Sequence, residues 1–537
     1  MNILEIKNLI IGIKKKFSED VLVNGISFNL EKGDILGIVG ESGSGKTLTC
    51  KALIKLFDNS KLFCKGEILY NNENIINLKK NELNKIRGDE ISMIFQNPST
   101  HLDPLMTIGE QIAESFIIRQ KIRKKDAYFK VIELLKSVNI NNPEEKYNSY
   151  PHEFSGGMKQ RVMIAAALAC NPKILIADEP TTALDVTVQS LFLKLLKQIN
   201  KDLNISIILV SHDLGVIANV CNKIIVMKDG YIKEIGNKND IINNPQNAYT
   251  KELINSYPKN NNIKNDIIDN SKEIIFDIKK LSINWKNSNI FNFFKKDKKS
   301  NISIGLDNIS LQIFKGDRIG IVGESGSGKS TLAKAMINII KPSTGEIFFN
   351  KFNLINLDND QEKNMRQNVQ MIFQDPYSSL NPKKTIKNLL LEPLKFHNIT
   401  NKDSFEKKIN ELMINVGLDN KFLEKYPHQL SGGQCQRVNI ARALSVNPKI
   451  LIADEPTSAL DVTIQSQIIE LIMNLCKKME LTLIFISHDL SVVKKICDKI
   501  IVMKNGNIIE KGSTYNVFYK TKKNYTKELI SSIPSLN

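Results

Sequence analysis

The stretch GIVGESGSGKT (Gly37–Thr47) decides the fold of this chain, because it recurs almost unchanged as GIVGESGSGKS (Gly320–Ser330). In each copy an apolar segment enters the glycine-rich run, at 34–39 and at 318–322, and a helical pattern follows. The backbone N–H groups of such a loop, with the N-terminus of the helix behind it, form a concave site for phosphate groups. Two matches in the same context predict two nucleotide-binding domains and make a chance glycine turn a poor explanation.

The residues of the two loops are candidates to bind ATP and Mg²⁺. Lys46 and Lys329 can neutralise the β and γ phosphates, while Thr47 and Ser330 offer a hydroxyl group to Mg²⁺. Backbone N–H groups of the loops would hold the phosphate oxygens. The other loop candidates are Gly40, Glu41, Ser42, Gly43, Ser44, Gly45, Gly323, Glu324, Ser325, Gly326, Ser327, Gly328 and Thr331.

The repetition extends over the whole chain. LIADEPTTALDVT (Leu175–Thr187) returns as LIADEPTSALDVT (Leu451–Thr463), and the shared motifs follow one another in the same order. Solenoids and propellers repeat every ~20–50 residues, so this longer period indicates one duplicated domain. The polar, Asn-rich stretch 260–273 has no apolar periodicity and predicts a flexible linker. We therefore expect domains at 1–259 and 274–537.

Paired carboxylates end an apolar run in each half, as Asp178-Glu179 and Asp454-Glu455. In α/β sheets the ends of strands are where side chains meet a ligand. The Asp suits a Mg²⁺ site, and the Glu, on the other side of the strand, can polarise an attacking water. We predict the two Asp residues as metal ligands and the two Glu residues as catalytic, in preference to solvated acids in a turn.

The overall composition is that of a globular protein, with 42% hydrophobic and 24% charged residues in 537. Its apolar runs are far shorter than a membrane-spanning helix. The seven cysteines form no C-x-x-C pair and predict reduced thiols. The net charge of +17 is spread as Lys among Asn and Ile, which indicates compositional drift, so we expect no nucleic-acid partner.

The remaining motifs resemble those of the ABC ATPases. FSGGMKQRV (Phe154–Val162) and LSGGQCQRV (Leu430–Val438) resemble the signature motif of that family, and IFQNP (Ile94–Pro98) and IFQDP (Ile372–Pro376) resemble its Q-loop. ALD at 183–185 and 459–461 resembles the D-loop, and SHD at 211–213 and 487–489 resembles the switch histidine. The resemblance implies two α/β P-loop NTPase domains, each with a RecA-like core, an antiparallel β subdomain and a helical subdomain.

The same resemblance implies that the two halves pair within one molecule and hold each ATP between a P-loop and the opposite signature motif. One site would combine Lys46, Gln96, Asp178, Glu179 and His212 with Ser431, Gly432, Gly433 and Asp461, and Gln434 is a further nucleotide-binding candidate. The other would combine Lys329, Gln374, Asp454, Glu455 and His488 with Ser155, Gly156, Gly157 and Asp185. The histidines are further catalytic candidates, the glutamines further metal ligands, and both sites are expected to hydrolyse ATP.

Trp285 is the sole tryptophan and precedes the second P-loop. ABC ATPases usually carry an adenine-stacking aromatic residue in this region, so Trp285 is a candidate for that role, with core packing as the alternative. In the first half Ile13 occupies the corresponding position, with Phe17 nearby. Adenine stacking is therefore less well supported in the first half than in the second.

Three further stretches resemble the peptide and nickel importer ATPases, above all the fused ATPases of dipeptide, oligopeptide, glutathione and microcin-peptide uptake. The Q-loops continue as QNPSTHLDPLMTI and QDPYSSLNPKKTI, and the signature motifs are preceded by YPHEF and YPHQL. The halves end in AYTKELINSYP and NYTKELISSIP. This resemblance covers nearly the whole chain.

An importer ATPase implies two integral membrane permeases as partners and, indirectly, an extracytoplasmic solute-binding protein. The chain would lie peripherally on the cytoplasmic face of the inner membrane, with the helical segments 106–150 and 385–426 transmitting motion to the permeases. A soluble tandem ABC protein acting on the ribosome is the alternative, but such proteins carry a long, charged, helical interdomain arm. A fused sugar importer fits less well, because its halves are usually unequal in catalytic residues.

Overall fold

The computed structural model describes residues 1–15, 18–57, 61–182, 184–257, 273–286, 302–399, 401, 404–458 and 460–533. The chain divides into two compact units, which we call unit 1 (Met1–Tyr257) and unit 2 (Pro258–Ile533, described from residue 273 onward). The predicted linker at 260–273 lies outside the described residues except for its last residue.

Unit 1 contains two sheets. Its strands are β1 (Asn2–Lys14), β2 (Glu19–Glu31), β3 (Ile35–Gly40), β4 (Leu62–Tyr70), β5 (Glu73–Asn74), β6 (Ile91–Ile94), β7 (Ile174–Asp178), β8 (Ser206–Ser211), β9 (Lys223–Lys228) and β10 (Tyr231–Asn237). An antiparallel sheet has the order β2-β1-β4-β5, and a larger sheet has the order β10-β9-β3-β8-β7-β6. In the larger sheet only the pairing of β9 with β10 is antiparallel among the described strands.

The helices of unit 1 cover both sheets and form a separate helical region between β6 and β7. They are α1 (Lys46–Leu53), α2 (Lys80–Ile86), α3 (Pro98–His101), α4 (Ile108–Glu114), α5 (Lys124–Ser137), α6 (Pro143–Tyr147), α7 (Gly156–Leu168), α8 (Val186–Leu203), α9 (Leu214–Val220), α10 (Lys238–Asn243) and α11 (Ala248–Ser256). A π-helical turn follows α4 at Ser115–Arg119.

Unit 2 repeats this architecture. Its strands are β11 (Ile274–Lys286), β12 (Ile302–Phe314), β13 (Arg318–Val322), β14 (Thr344–Phe349), β15 (Phe352–Asn353), β16 (Val369–Ile372), β17 (Ile450–Asp454), β18 (Thr482–Ile486), β19 (Lys499–Lys504) and β20 (Asn507–Ser513). The sheet orders are β12-β11-β14-β15 and β16-β17-β18-β13-β19-β20, which match those of unit 1 strand for strand.

The helices of unit 2 follow the same order, but its described residues contain no α-helical counterparts of the short helices α3 and α6. They are α12 (Lys329–Met336), α13 (Asn359–Asn368), α14 (Ile386–Phe396), α15 (Phe405–Asn415), α16 (Gly432–Leu444), α17 (Val462–Lys478), α18 (Leu490–Ile496), α19 (Thr514–Tyr519) and α20 (Asn524–Ser531). The predicted α/β fold, with an antiparallel β subdomain and a helical subdomain, is confirmed in each unit.

The central strands of each large sheet are almost entirely buried, with the partly exposed Arg318 at the start of β13 as an exception. In unit 1 all residues of β3, β7 and β8 are buried, as expected for parallel strands covered on both faces. One apolar cluster joins the large sheet to the helical region, and a second joins it to the antiparallel sheet and α1. Because parallel strands end at one edge, this packing brings the loops after β3, β6, β7 and β8 together.

The helical regions begin at well-defined caps. Thr107 precedes α4 and forms a capping box with Glu110, while the hydroxyl of Thr385 accepts a hydrogen bond from the backbone N–H of Asn388 at the start of α14. These caps satisfy N–H groups that have no partner within the helix. Across the described ranges, no helix combines the length and apolar character needed to cross a membrane.

Candidate nucleotide-binding and catalytic site

The loop between β3 and α1 forms the phosphate-binding candidate in unit 1. Gly45 caps α1 with a φ of 96°, in the left-handed region that favours glycine. A Cβ atom at this position would also lie 2.8 Å from Cγ2 of Val23. Both the backbone conformation and the lack of space for a side chain therefore require glycine at position 45. With glycine there, the N-terminus of α1 can face the loop. Gly328 has the same role before α12, with a φ of 99°.

The lysine of each loop is buried and bonded to the loop itself. Lys46 is 4% exposed and donates hydrogen bonds to the carbonyl oxygens of Gly40 and Glu41, both at 2.8 Å. In unit 2, Lys329 donates to the carbonyl oxygens of Gly323 and Glu324, also at 2.8 Å. These bonds hold the two ammonium groups inside the loops, where phosphate groups would bind.

A hydroxyl–carboxylate pair lies next to each lysine. The Oγ1 atom of Thr47 donates to Oδ1 of Asp178 at 3.0 Å, and the Oγ atom of Ser330 donates to Oδ1 of Asp454 at the same distance. Mg²⁺ takes oxygen ligands and commonly uses one or two carboxylates together with substrate phosphates. The donor atoms present at these positions therefore fit Mg²⁺.

Glu179 lies at the centre of the unit 1 site. Its Oε2 accepts hydrogen bonds from Nε2 of Gln96 at 2.9 Å and from Oγ1 of Thr182 at 3.1 Å. Nδ1 of His212 lies 3.4 Å from Oε2, and Nζ of Lys46 lies 3.9 Å from Oε1. The structure thus brings the predicted carboxylate, glutamine, histidine and lysine of this half together around one side chain.

Unit 2 repeats this arrangement around Glu455. Nε2 of Gln374 donates to its Oε2 at 2.9 Å, and Nδ1 of His488 lies 3.3 Å from its Oε1. Both glutamates have a left-handed backbone, with φ of 44° for Glu179 and 46° for Glu455. This conformation costs a non-glycine residue about 1–3 kcal/mol. Because side chains alternate along a strand, each glutamate was expected to lie on the side opposite its neighbouring aspartate. Strands β7 and β17, however, end at the aspartates, so the glutamates are not strand residues.

The contact between Glu455 and His488 shifts their two pKa values in opposite directions. Burial alone would raise the pKa of Glu455, but the hydrogen bond and charge of His488 and the charge of Lys329 outweigh it, so this pKa is lowered. Burial alone would lower the pKa of His488, but its bond to Glu455 raises it. The pKa of Glu179 is lowered in the same way. Each glutamate is therefore held as a carboxylate, as activation of a water molecule requires.

The two aspartates behave differently. Burial raises the pKa of Asp178 and of Asp454, and the hydroxyl groups of Thr47 and Ser330 oppose this shift only in part. A buried carboxylate without a full countercharge favours a bound cation, because the cation removes the cost of burying the negative charge. The raised pKa values thus agree with a metal ion as the natural partner of these two groups.

The signature-motif residues lie on other elements of their units. Ser155 caps α7, where its hydroxyl accepts from the N–H of Met158 at 3.4 Å, and Asp185 caps α8 by accepting from the N–H of Val188 at 3.0 Å. A Cβ atom on Gly157 would lie 2.4 Å from Cγ1 of Val188, so the two helix starts pack closely. This packing therefore holds the signature residues of unit 1 next to Asp185 of its D-loop. Ala183, the first residue of the D-loop motif, lies outside the described residues.

The signature motif of unit 2 has one additional bond. Ser431 accepts from the N–H of Gln434 at 3.4 Å, and the Oε1 atom of Gln434 accepts from the N–H of Ser431 at 3.0 Å. This reciprocal capping box needs a side-chain acceptor. Met158 stands at this position in unit 1 and supplies no oxygen, so the two signature helices begin differently.

Trp285 lies near the end of β11 and is 44% exposed. The strand register gives Ile13 the corresponding place on β1, while Phe17 lies outside the described residues. A Cβ atom on Gly305 would lie 2.5 Å from Nε1 of Trp285, and one on Gly328 would lie 2.7 Å from the carbonyl oxygen of Gly305. The partly exposed indole thus lies beside Gly305, which in turn lies beside Gly328 of the P-loop.

Sequence reasoning assigned no role to Thr182, although it lies within a repeated motif. Its hydroxyl lies within hydrogen-bond distance of the carboxylate of Glu179, at 3.1 Å, and of the backbone oxygen of Glu179, at 3.3 Å. The hydroxyl of Ser458, its counterpart in unit 2, donates to the backbone oxygen of Glu455 at 3.1 Å, so the bond to the carboxylate is what distinguishes unit 1. The sequence could have drawn attention to this position, because Thr182 is replaced by Ser458 in the second of two otherwise nearly identical stretches.

Comparison with known protein families gives two matches. The family model described as "ABC transporter" matches residues 23–182 and again 306–458, and the model described as "Oligopeptide/dipeptide transporter, C-terminal region" matches residues 233–278. The first model covers more than half of the chain and includes both P-loops and both carboxylate pairs.

Curated relatives align along almost the whole chain. The proteins named "Glutathione import ATP-binding protein GsiA" from Salmonella typhimurium and Escherichia coli (strain K12) are 36% identical over 565 residues, which covers 99% of this chain and 90% of each relative. Among solved structures, "Dimeric Structure of MJ0796, a Bacterial ABC Transporter Cassette" covers 45% of this chain and 99% of its own, with 31% identity and a TM-score of 0.39.

The family matches and the curated relatives agree with the resemblance inferred from the sequence motifs, and nothing in them supports the alternative of a factor acting on the ribosome. The repeated family match and the relatives of 36% identity lead to one conclusion. This chain belongs to the ABC transporter family, as an ATP-binding and ATP-hydrolysing protein of its oligopeptide/dipeptide type with two tandem domains.

Proposed function

We propose that this chain is the ATPase subunit of an importer for di- or oligopeptides or related small solutes such as glutathione. The similarity to glutathione import proteins along 99% of the chain is the observation that carries the proposal. The match of residues 233–278 to the oligopeptide/dipeptide transporter region supports the same class of solute. Import of this kind implies two integral membrane permeases as partners and an extracytoplasmic solute-binding protein that delivers the solute.

The two domains are proposed at 1–259 and 274–537, joined by the linker 260–273. Each domain would contribute its own P-loop, so one molecule carries two ATPase sites. The chain would lie peripherally on the cytoplasmic face of the inner membrane, bound to its permeases. The helical segments 106–150 and 385–426 are proposed to contact the permeases, because each lies in the chain between the Q-loop and the signature motif of its unit.

The proposed roles of the site residues follow from their contacts. Lys46 and Lys329 bind phosphate groups of ATP, and Glu179 and Glu455 act as general bases that take a proton from the attacking water. Mg²⁺ would be held by the side chains of Thr47, Asp178 and Gln96, and in unit 2 by those of Ser330, Asp454 and Gln374. When bound, this ion would neutralise charge on the phosphate groups.

The two histidines orient the catalytic carboxylates. Each imidazole lies 3.3–3.4 Å from a glutamate oxygen and stabilises the charged form of that glutamate. His212 and His488 are therefore proposed to keep the general base ionised and in position. The pairing of each P-loop with the opposite signature motif stays a prediction from the sequence, as does the adenine-stacking role of Trp285.

Transport by the reconstituted system tests the proposal. The chain is purified with its permease pair, placed in proteoliposomes with the solute-binding protein, and supplied with ATP. We expect uptake of a radiolabelled dipeptide or glutathione that stops in the Glu179→Gln/Glu455→Gln variant. Association of the chain with ribosomes in a sedimentation assay, without association with a permease pair, would contradict the importer assignment.

A further inference from the structure

The C-terminal helix of unit 2 reaches the P-loop through one side chain. Tyr525 lies at the start of α20, is 8% exposed, and its hydroxyl oxygen accepts a hydrogen bond from the backbone N–H of Glu324 at 3.2 Å. The two residues are 201 positions apart in the sequence. This helix lies beyond residue 458, where the second match to the ABC transporter model ends.

The peptide group that Tyr525 contacts also binds the P-loop lysine. The N–H of Glu324 and the carbonyl oxygen of Gly323 belong to one peptide group, and that carbonyl accepts from Nζ of Lys329 at 2.8 Å. In a trans peptide the N–H and C=O bonds point in opposite directions. The tyrosine hydroxyl and the lysine ammonium thus hold the same rigid plane from opposite sides, so rotation of the plane would break both bonds.

The tyrosine ring is itself fixed. Nζ of Lys504, at the end of β19, lies 4.2 Å from the ring centroid, within the range of a cation–π interaction. Unit 1 has the same pair, with Nζ of Lys228 lying 4.3 Å from the ring centroid of Tyr249 on α11. Core packing alone would be met by a phenylalanine ring, whereas the bond to the P-loop needs the phenolic oxygen.

We propose that Tyr525 is a positioning residue for ATP binding in unit 2. Its hydroxyl holds the Gly323–Glu324 peptide in the orientation that aims the Gly323 carbonyl at Lys329, and so fixes the ammonium group that binds the phosphates. The proposal rests on the phosphate-binding role assigned to Lys329 above. It makes the strength of ATP binding depend on a helix outside the family-matched part of the second domain.

Equilibrium binding of ATP to the full-length protein tests this role. The Lys46→Ala substitution disables the P-loop of unit 1, so the remaining binding reports on unit 2. In this background Tyr525→Phe removes one hydroxyl and keeps the ring on Lys504. We expect the dissociation constant for ATP to rise about 3- to 10-fold, the effect of one lost hydrogen bond. Tyr515→Phe, on the neighbouring helix α19, is the matched control and should leave the constant unchanged.

Thermal unfolding separates positioning from general stability. Each variant is melted with and without ATP, and the increase in Tm caused by ATP is compared. A positioning role predicts a smaller increase for Lys46→Ala/Tyr525→Phe than for Lys46→Ala, whatever the Tm of the ATP-free proteins. An unchanged dissociation constant and an unchanged increase in Tm would overturn the proposal. If Lys46→Ala/Lys329→Ala still binds ATP, the P-loop assignment fails instead.

Discussion

Gln96 donates a hydrogen bond from its side-chain nitrogen to the carboxylate of Glu179 across 2.9 Å. Gln96 follows β6 and Glu179 follows β7, and these neighbouring strands are parallel, so their ends meet at one edge of the sheet. Gln374 and Glu455 repeat this bond in unit 2. A displacement of either Q-loop would therefore change the hydrogen bonding of the carboxylate proposed to activate water.

Removing both carboxylates should stop hydrolysis without stopping ATP binding. In the Glu179→Gln/Glu455→Gln variant the amide cannot accept a proton, and loss of a general base lowers turnover by about 10²–10⁴-fold. The lysines and loop N–H groups remain, so the dissociation constant for ATP should change little. Phosphate release and ATP binding are measured on the same preparation. Glu470→Gln, on the exposed face of α17, is the control, and full turnover in the double variant would refute the assignment.

A single P-loop variant reports whether the two sites work together. Lys329→Ala removes the ammonium group of unit 2 and leaves Lys46 in place. If hydrolysis at one site requires ATP at the other, turnover should fall far below half of the wild-type rate. Steady-state phosphate release at saturating ATP is the measurement, with Lys46→Ala as the reciprocal variant. A clean halving of the rate would argue that the sites act independently.

The difference between Thr182 and Ser458 predicts unequal effects of two similar substitutions. Thr182→Val removes the hydroxyl contacts to the backbone oxygen and to the carboxylate of Glu179, and the bond to the carboxylate helps to lower the pKa of that group. Because hydrogen bonds to charged groups are the stronger ones, turnover at this site should fall about 10- to 100-fold. Ser458→Ala removes a bond to a backbone oxygen and should have a smaller effect. Equal losses in the two variants would contradict the geometry.

The His488–Glu455 pair makes a pH-dependent contribution to stability. Since the pKa of His488 is raised from 6.5, its contribution is complete below that value and is lost as pH rises through the raised pKa. Since the pKa of Glu455 is lowered from 4.5, its contribution is present above that value and is lost on acidification through the lowered pKa.

The difference in Tm between the wild-type protein and His488→Ala should therefore be largest between pH 4.5 and 6.5, the ordinary values of the two groups. It should decrease on either side of that window. Tm is measured across a pH series in one buffer system, with His428→Ala, a histidine outside the site, as the control. A difference in Tm that stays constant with pH would show that the pair is not ionised.

The sequence predicted most of the site because its residues lie in short motifs with a fixed place relative to a strand or helix. The P-loops, Asp178, Asp454 and the two histidines all follow apolar strands that could be recognised from the sequence. The backbone of Glu179 and Glu455 was not predictable in this way. Alternation along a strand says nothing about the residue after the strand, and here that residue takes a left-handed conformation before a proline.

The sequence by itself determined the duplicated domain and the α/β class and supplied the candidates for the reacting groups, because local motifs and apolar runs carry that information. Only the tertiary structure decided which groups touch: the glutamine on the proposed catalytic carboxylate, the different partners of Thr182 and Ser458, and the contact between Tyr525 and the P-loop. The first and last of these contacts join residues far apart in the chain, and their formation depends on how strands and helices pack. The partners of Thr182 and Ser458 lie three residues away, but which oxygen each hydroxyl meets depends on the local backbone and side-chain conformation, which spacing along the sequence does not specify.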